Sequence, residues 1–297
     1  MQKAASLSLR FLKALWKSVN IHRVTDLSQK KRETVKLLKK AIDNFLYAFG
    51  KFSIILVRFY MHVLYRPKAH FVDKSLQTNK LKEPCIVIAN HTTIVDPPFI
   101  LSVLKGKRSI VIAKDWYEKP GINWICRAAN GIPCDRFNLD TEWALLAKKE
   151  LKKGRSVVIF PEGKCREDGE LNEFKSGFAF LARSTGYPVV SIGLDGKYTF
   201  GHRIHYVVDI PKKIERTKGL ASSVDLENQS AQFRERVKLL KKAAIRHNTL
   251  TLPSPDTIYE VVPPLPEVTE ESLSSQNSKS SLDSTLAYKS PCQEAGR

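Results

Sequence analysis

Three short blocks in this 297-residue chain hold side chains whose types and spacing suit chemistry. The first is Asn90-His91-Thr92-Thr93-Ile94-Val95-Asp96. A histidine titrates near neutral pH and can serve as a general base. A carboxylate within reach fixes its tautomer and stabilises the imidazolium. Five residues do not stack His91 and Asp96 on one helix face, but a loop between a strand end and a helix start can bring them together. Taken alone the match is cheap, and Asp96 as a helix N-cap beside a polar loop His91 is the favoured reading. The second block is Phe160-Pro161-Glu162-Gly163-Lys164-Cys165-Arg166. Pro and Gly around a Glu set a tight turn, and Lys164 and Arg166 can hold a phosphate. A solvated surface turn is the alternative. The third is Gly131-Ile132-Pro133-Cys134-Asp135-Arg136, where Arg136 can clamp an anion bidentately or Asp135 can sit in a surface ion pair.

These blocks need a scaffold, and the hydrophobic pattern supplies one. Residues 84–90, 108–113, 156–160 and 188–194 read as short buried strands, with 204–210 as a further candidate. Helical patterns fall at 97–104, 122–129, 140–153 (closed by Gly154), 173–185 and, strongly basic, 230–247. Short apolar strands alternating with helices predict an α/β domain with a mostly parallel sheet flanked by helices. In such sheets sites gather at the carboxyl ends of strands, where the first two blocks fall. The α/β domain is expected over 71–250. The Pro-, Ser- and Glu-rich stretch 251–297 reads as a disordered tail.

The formal net charge of +19 demands an anionic partner. It is concentrated at the front: residues 1–70 carry 15 Lys and Arg against 3 Asp and Glu. Residues 2–17 place Leu7, Phe11, Leu12, Leu15 and Trp16 at helical spacing among Lys and Arg, a basic amphipathic pattern. Residues 45–65 are the most apolar stretch and are long enough to span a bilayer. Their Leu, Ile, Val and Phe residues contribute about −5 kcal/mol on an insertion scale, against about +5 to +7 for Lys51 and Arg58 near the centre. A helix lying in the interface with its cations snorkelling fits better, beside the basic cluster Lys30, Lys31, Arg32, Lys36, Lys39 and Lys40. The alternative is a core helix of a soluble domain. Residues 1–70 are thus expected to be an amphipathic, membrane-associating helical segment on an anionic surface. Five cysteines, Cys85, Cys126, Cys134, Cys165 and Cys292, lack zinc or redox spacing and suit a reducing, cytoplasm-facing location.

Taken together and in order, the blocks resemble those of the 1-acylglycerol-3-phosphate (lysophosphatidic acid) acyltransferase family over about residues 82–210. NHTTIVD resembles its NH-x4-D block, GIPCDR its second block, FPEGKCRE its FPEG-T-R-S block, and Phe174–Leu194 its fourth region. The resemblance implies that His91 takes the proton of an acceptor hydroxyl while Asp96 orients it. The hydroxyl attacks an acyl thioester directly, on coenzyme A or acyl carrier protein, without an enzyme nucleophile, metal or bound cofactor. Arg136, Glu162 and Gly163 would form the acceptor site, with Lys164 and Arg166 as further binding cations. The implied reaction acylates 1-acylglycerol 3-phosphate to phosphatidic acid at the cytoplasmic face of a membrane. Lys164 stands where the family has Thr, Cys165 where it has Arg, and Ser191 where Pro is usual. These departures leave glycerol 3-phosphate, another lysophospholipid or an amino-acid lipid as competing acceptors. A nucleic-acid-binding protein is disfavoured, because the basic residues interleave with bulky aliphatics and no nucleic-acid motif occurs. A catalytically silent, basic membrane-binding protein is the remaining alternative.

Overall fold

The computed structural model describes residues 29–73, 83–136, 141–166, 168, 170–247 and 249. The amphipathic stretch 2–17 and the tail 251–297 lie outside the described residues. Helix α1 (Gln29–Tyr65) leads into strand β1 (Lys68–Phe71) and then β2 (Ile86–Ala89). Next come α2 (Asp96–Val103), β3 (Arg108–Ala113), α3 (Lys114–Tyr117), α4 (Asn123–Ala128) and β4 (Gly131–Cys134). The chain continues through α5 (Glu142–Lys152), β5 (Ser156–Ile159), α6 (Gly177–Thr185), β6 (Val189–Leu194), β7 (His205–Val208) and α7 (Ser222–Arg246).

The described strands form one sheet in the order β1-β7-β6-β2-β5-β3-β4. Its pairs are parallel except β6 with β7. This is the mostly parallel, helix-flanked α/β architecture that the alternating pattern predicts. Strand β2 is buried along its whole length because both faces are covered. Ile86 and Ile88 face a layer with Leu151, Phe178 and Val237, from α5, α6 and α7. Val87 and Ala89 face the opposite layer, with Phe99, Ile100 and Val103 of α2.

Two helix starts differ from the sequence reading by more than two residues. Helix α6 starts at Gly177 rather than 173, and α7 starts at Ser222 rather than 230. The first turns of α7 are polar and show little apolar periodicity. They are fixed instead by Asp225, buried and paired with Arg183 at 3.0 Å.

Helix α1 is 37 residues long and takes in the apolar stretch 45–65. One side docks on the α/β body, with Met61 buried and Phe49 reaching Trp124 of α4 at 5.2 Å between ring centroids. Its other side leaves Phe45, Phe52, Ile55, Leu56, Phe59 and Val63 exposed. By length and composition the stretch Glu33–Tyr65 is sufficient to cross a membrane.

Candidate active site

Strands β2, β3, β4, β5 and β6 deliver their carboxyl ends to one edge of the sheet. His91 follows β2, Asp115 follows β3, Arg136 follows β4, Glu162 follows β5 and Tyr198 follows β6. The exit from β2 is set by Asn90, whose side chain extends the β2–β6 ladder by one step. Leu194 N–H donates to its Oδ1 at 2.7 Å, and its Nδ2 donates to the Leu194 carbonyl at 3.2 Å.

The first block brings its histidine and aspartate together. His91 Nδ1 lies 3.2 Å from Asp96 Oδ2. Asp96 is fully buried, while the His91 side chain keeps 16% of its surface exposed. Asp96 opens α2, but its side chain does not cap that helix. Oδ2 turns back into the loop and accepts the backbone N–H of Thr92 at 2.6 Å and of Thr93 at 2.8 Å. Oδ1 accepts the Tyr198 hydroxyl at 2.6 Å. A carboxylate so satisfied is held in one orientation. With Nδ1–H directed at it, the lone pair sits on Nε2, the free end of the ring. The Phe160 ring, 4.5 Å away between centroids, flanks the imidazole and fixes its plane.

The second block forms the adjoining wall. Glu162 is buried, and both its oxygens are engaged: Oε1 accepts the His91 backbone N–H at 2.7 Å, and Oε2 accepts Asn172 N–H at 2.9 Å. Burial pushes its carboxyl above the ordinary range, with the His91 and Asn172 amides opposing. Glu162, expected at the acceptor site, is thus bonded to the His91 loop and to the segment carrying Asn172. Gly163 has φ +70, a left-handed turn that favours glycine. A Cβ there would meet Lys175 Cε at 3.3 Å, and Arg136 Nη1 donates to the Gly163 carbonyl at 3.1 Å. Arg136 Nη2 also lies 3.0 Å from Asp115 Oδ2. Lys164 is exposed at the rim, whereas Arg166 Nε is held by Asp168 at 2.6 Å. Of the expected cations, therefore, Arg136 is brought onto the Gly163 turn and the Arg166 guanidinium is tied to a neighbouring carboxylate.

Three residues of the site carry no sequence signal, Tyr198, Asn172 and Asp115, while Lys175 falls in the fourth region of the resemblance without having been singled out. Tyr198 and Asp115 lie outside all three blocks. Lys175 and Asn172 sit in an irregular loop where only the tertiary fold returns them to Gly163 and Glu162.

Residues 68–195 match the family model described as Acyltransferase. The chloroplastic 1-acyl-sn-glycerol-3-phosphate acyltransferase of Brassica napus is 34% identical over 116 residues, 38% of this chain and 33% of that protein. The 1-acyl-sn-glycerol-3-phosphate acyltransferase of Pseudomonas aeruginosa is 31% identical over 114 residues, 37% of this chain and 44% of that protein. A solved 1-acyl-sn-glycerophosphate acyltransferase from Thermotoga maritima aligns with 22% identity and a TM-score of 0.44, over 83% of this chain and 98% of that one. The Brassica napus match thus spans about a third of that relative's length. The stretch that matches the family model carries His91, Asp96, Arg136 and the Phe160–Arg166 turn, and over it this chain is similar to acyltransferases.

Proposed function

We propose that this chain transfers a fatty acyl group from an acyl thioester to the free hydroxyl of 1-acylglycerol 3-phosphate, giving phosphatidic acid. The observation that carries the reading is the His91–Asp96 pair, 3.2 Å apart at the carboxyl edge of the sheet with Asp96 fully buried. His91 Nε2 takes the hydroxyl proton as the oxygen attacks the thioester carbonyl carbon. Asp96 holds the tautomer and stabilises the imidazolium formed. The carbon–sulfur bond then breaks, and the departing thiolate recovers the proton from His91. Coenzyme A and acyl carrier protein both satisfy this scheme as carriers.

Arg136 and Lys175, converging on Gly163, supply the positive charge for the acceptor phosphate, with Lys164 at the rim. Glu162 acts on the His91 loop rather than on the acceptor. The exposed apolar face of α1 meets a membrane that holds the acceptor, and the basic residues at its amino end meet anionic headgroups on the cytoplasmic side.

The names of the Brassica napus and Pseudomonas aeruginosa relatives favour 1-acylglycerol 3-phosphate as acceptor. The Arg166–Asp168 pair, in the block that departs from the family pattern, is the observation favouring another acceptor. The test is transfer from labelled acyl-coenzyme A and acyl–acyl carrier protein to a panel of lysophospholipids and glycerol 3-phosphate. Transfer to 1-acylglycerol 3-phosphate above the other acceptors is expected. Transfer confined to another acceptor would move the substrate, and no transfer at all would remove the activity.

A further inference from the structure

Helix α7 lies wholly outside the stretch 68–195 that matches the acyltransferase family, yet it reaches the catalytic loop through an unbroken hydrogen-bond chain. The chain begins at Arg234. Its Nη2 donates to the Leu171 carbonyl at 2.8 Å and its Nε to the Asn172 carbonyl at 2.9 Å. The Leu171 carbonyl and the Asn172 N–H belong to one peptide group. That N–H donates to Glu162 Oε2 at 2.9 Å, and the Asn172 side-chain amide adds a second bond at 3.2 Å. Glu162 Oε1 then accepts the His91 N–H at 2.7 Å. The guanidinium and the carboxylate therefore grip opposite ends of a single peptide, which polarises it and strengthens its N–H as a donor.

We propose that Arg234 is a positioning residue for His91, acting through the 171–172 peptide and Glu162. The loop 170–176 has no helical or strand ladder of its own, so its carbonyls depend on outside donors for a fixed place. Helix α7 is a stiff source of them. It presses on β6 where a Cβ at Gly193 would lie 2.3 Å from the Lys241 backbone nitrogen, a distance only glycine permits. It is also tied to Asp209 by a buried two-point pair from Arg236, at 2.6 and 2.7 Å. Arg234 thus transfers the rigidity of the sheet–helix contact to the main chain of the base. Without it the peptide can rotate, Glu162 loses one partner, and the His91 N–H loses a fixed acceptor.

The proposal rests on the reading of His91 as the base, but its test has a readout independent of turnover. Deuterium uptake is measured by mass spectrometry on peptides covering 90–96 and 189–194, in the full-length wild type, Arg234→Gln, Arg234→Lys and Arg234→Met. The expected result is at least tenfold faster exchange of the His91-containing peptide in Arg234→Gln and Arg234→Met. The β6 peptide stays unchanged, and Arg234→Lys, which retains a cationic donor, lies close to wild type. In turnover assays Arg234→Gln lowers kcat about tenfold with KM for acceptor and donor unchanged. Glu162→Gln combined with Arg234→Gln falls no further than Glu162→Gln alone, because the two changes break one chain. Unchanged exchange over 90–96 in folded Arg234→Gln would overturn the proposal, as would additive kcat losses in the double variant. If Arg234→Gln does not fold, Arg234→Met, which keeps the aliphatic stem and loses every donor, decides: fast exchange over 90–96 supports the chain, and wild-type exchange overturns it. An inactive wild type with the exchange pattern intact would refute the enzymatic reading and leave the positioning chain standing.

Discussion

Tyr198 donates a 2.6 Å hydrogen bond to Oδ1 of Asp96 from 102 residues further along the chain. Burial first, and the Asp96 charge second, hold its phenol well above the usual tyrosine range, so it stays a donor at neutral pH. The bond fixes the carboxylate on the side opposite His91. It also leaves Oδ2 for the imidazole and the two threonine amides. A hydrogen bond to a charged group is worth about 1.5 kcal/mol or more, so Tyr198→Phe is expected to lower kcat about tenfold at nearly constant KM. Steady-state kinetics of the folded variant checks this; an unchanged kcat would show Asp96 needs no such support.

Glu162 couples stability to pH in a direction that can be worked out. Its folded-state carboxyl is raised above the ordinary 4.5, chiefly by burial. A group shifted that way contributes stability that is full below its unfolded pKa and is lost as pH climbs through the folded value. Glu162→Gln removes this dependence. Relative to wild type, the variant should gain stability as pH rises from about 4.5, while its kcat stays depressed throughout. Urea denaturation at a series of pH values measures the difference. Parallel stability curves would contradict the buried, shifted carboxyl.

Arg136 and Lys175 approach Gly163 from its carbonyl and its Cα side respectively. Charge-assisted bonds to a phosphate are worth about 1.5–3 kcal/mol, so Arg136→Gln or Lys175→Gln should raise the acceptor KM by about tenfold or more. The donor KM should move by no more than about twofold. A fall in kcat with the acceptor KM unchanged would place the phosphate elsewhere.

The exposed side of α1 gives a prediction for membrane binding. Phe52 and Phe59 are 54% and 67% exposed, on a helix whose other side is docked on the body. Each charge placed in the apolar layer costs about 2.5–3.5 kcal/mol at full depth and less at the interface. Phe52→Glu with Phe59→Glu should therefore abolish co-flotation with vesicles containing anionic lipid, with the fold intact by circular dichroism. Undiminished flotation would assign membrane binding to another surface.

What the sequence discloses follows physical range. His91 and Asp96 lie within one loop, so a five-residue spacing is enough to suggest the pair, and the predominantly apolar runs of β2, β5 and β6 announce strands covered on both faces. The antiparallel turn from β6 into β7 leaves no such mark, because relative strand direction depends on where the intervening chain packs. Asp96 at a helix start reads as a cap; only the folded loop shows the Thr92 and Thr93 amides competing for it. Arg166 looks like a ligand cation in the motif, and Asp168, two residues on, takes its guanidinium. Tyr198 and Arg234 act across large sequence separations, where residue type alone says nothing of the partner.

The most direct test compares wild type with His91→Ala in acyl transfer from a labelled acyl thioester to 1-acylglycerol 3-phosphate, with both proteins shown to be folded. Removing the general base should cost at least about 10²–10⁴ in kcat, with no rescue by raised donor concentration. Transfer by His91→Ala at the wild-type rate would contradict the account at its centre.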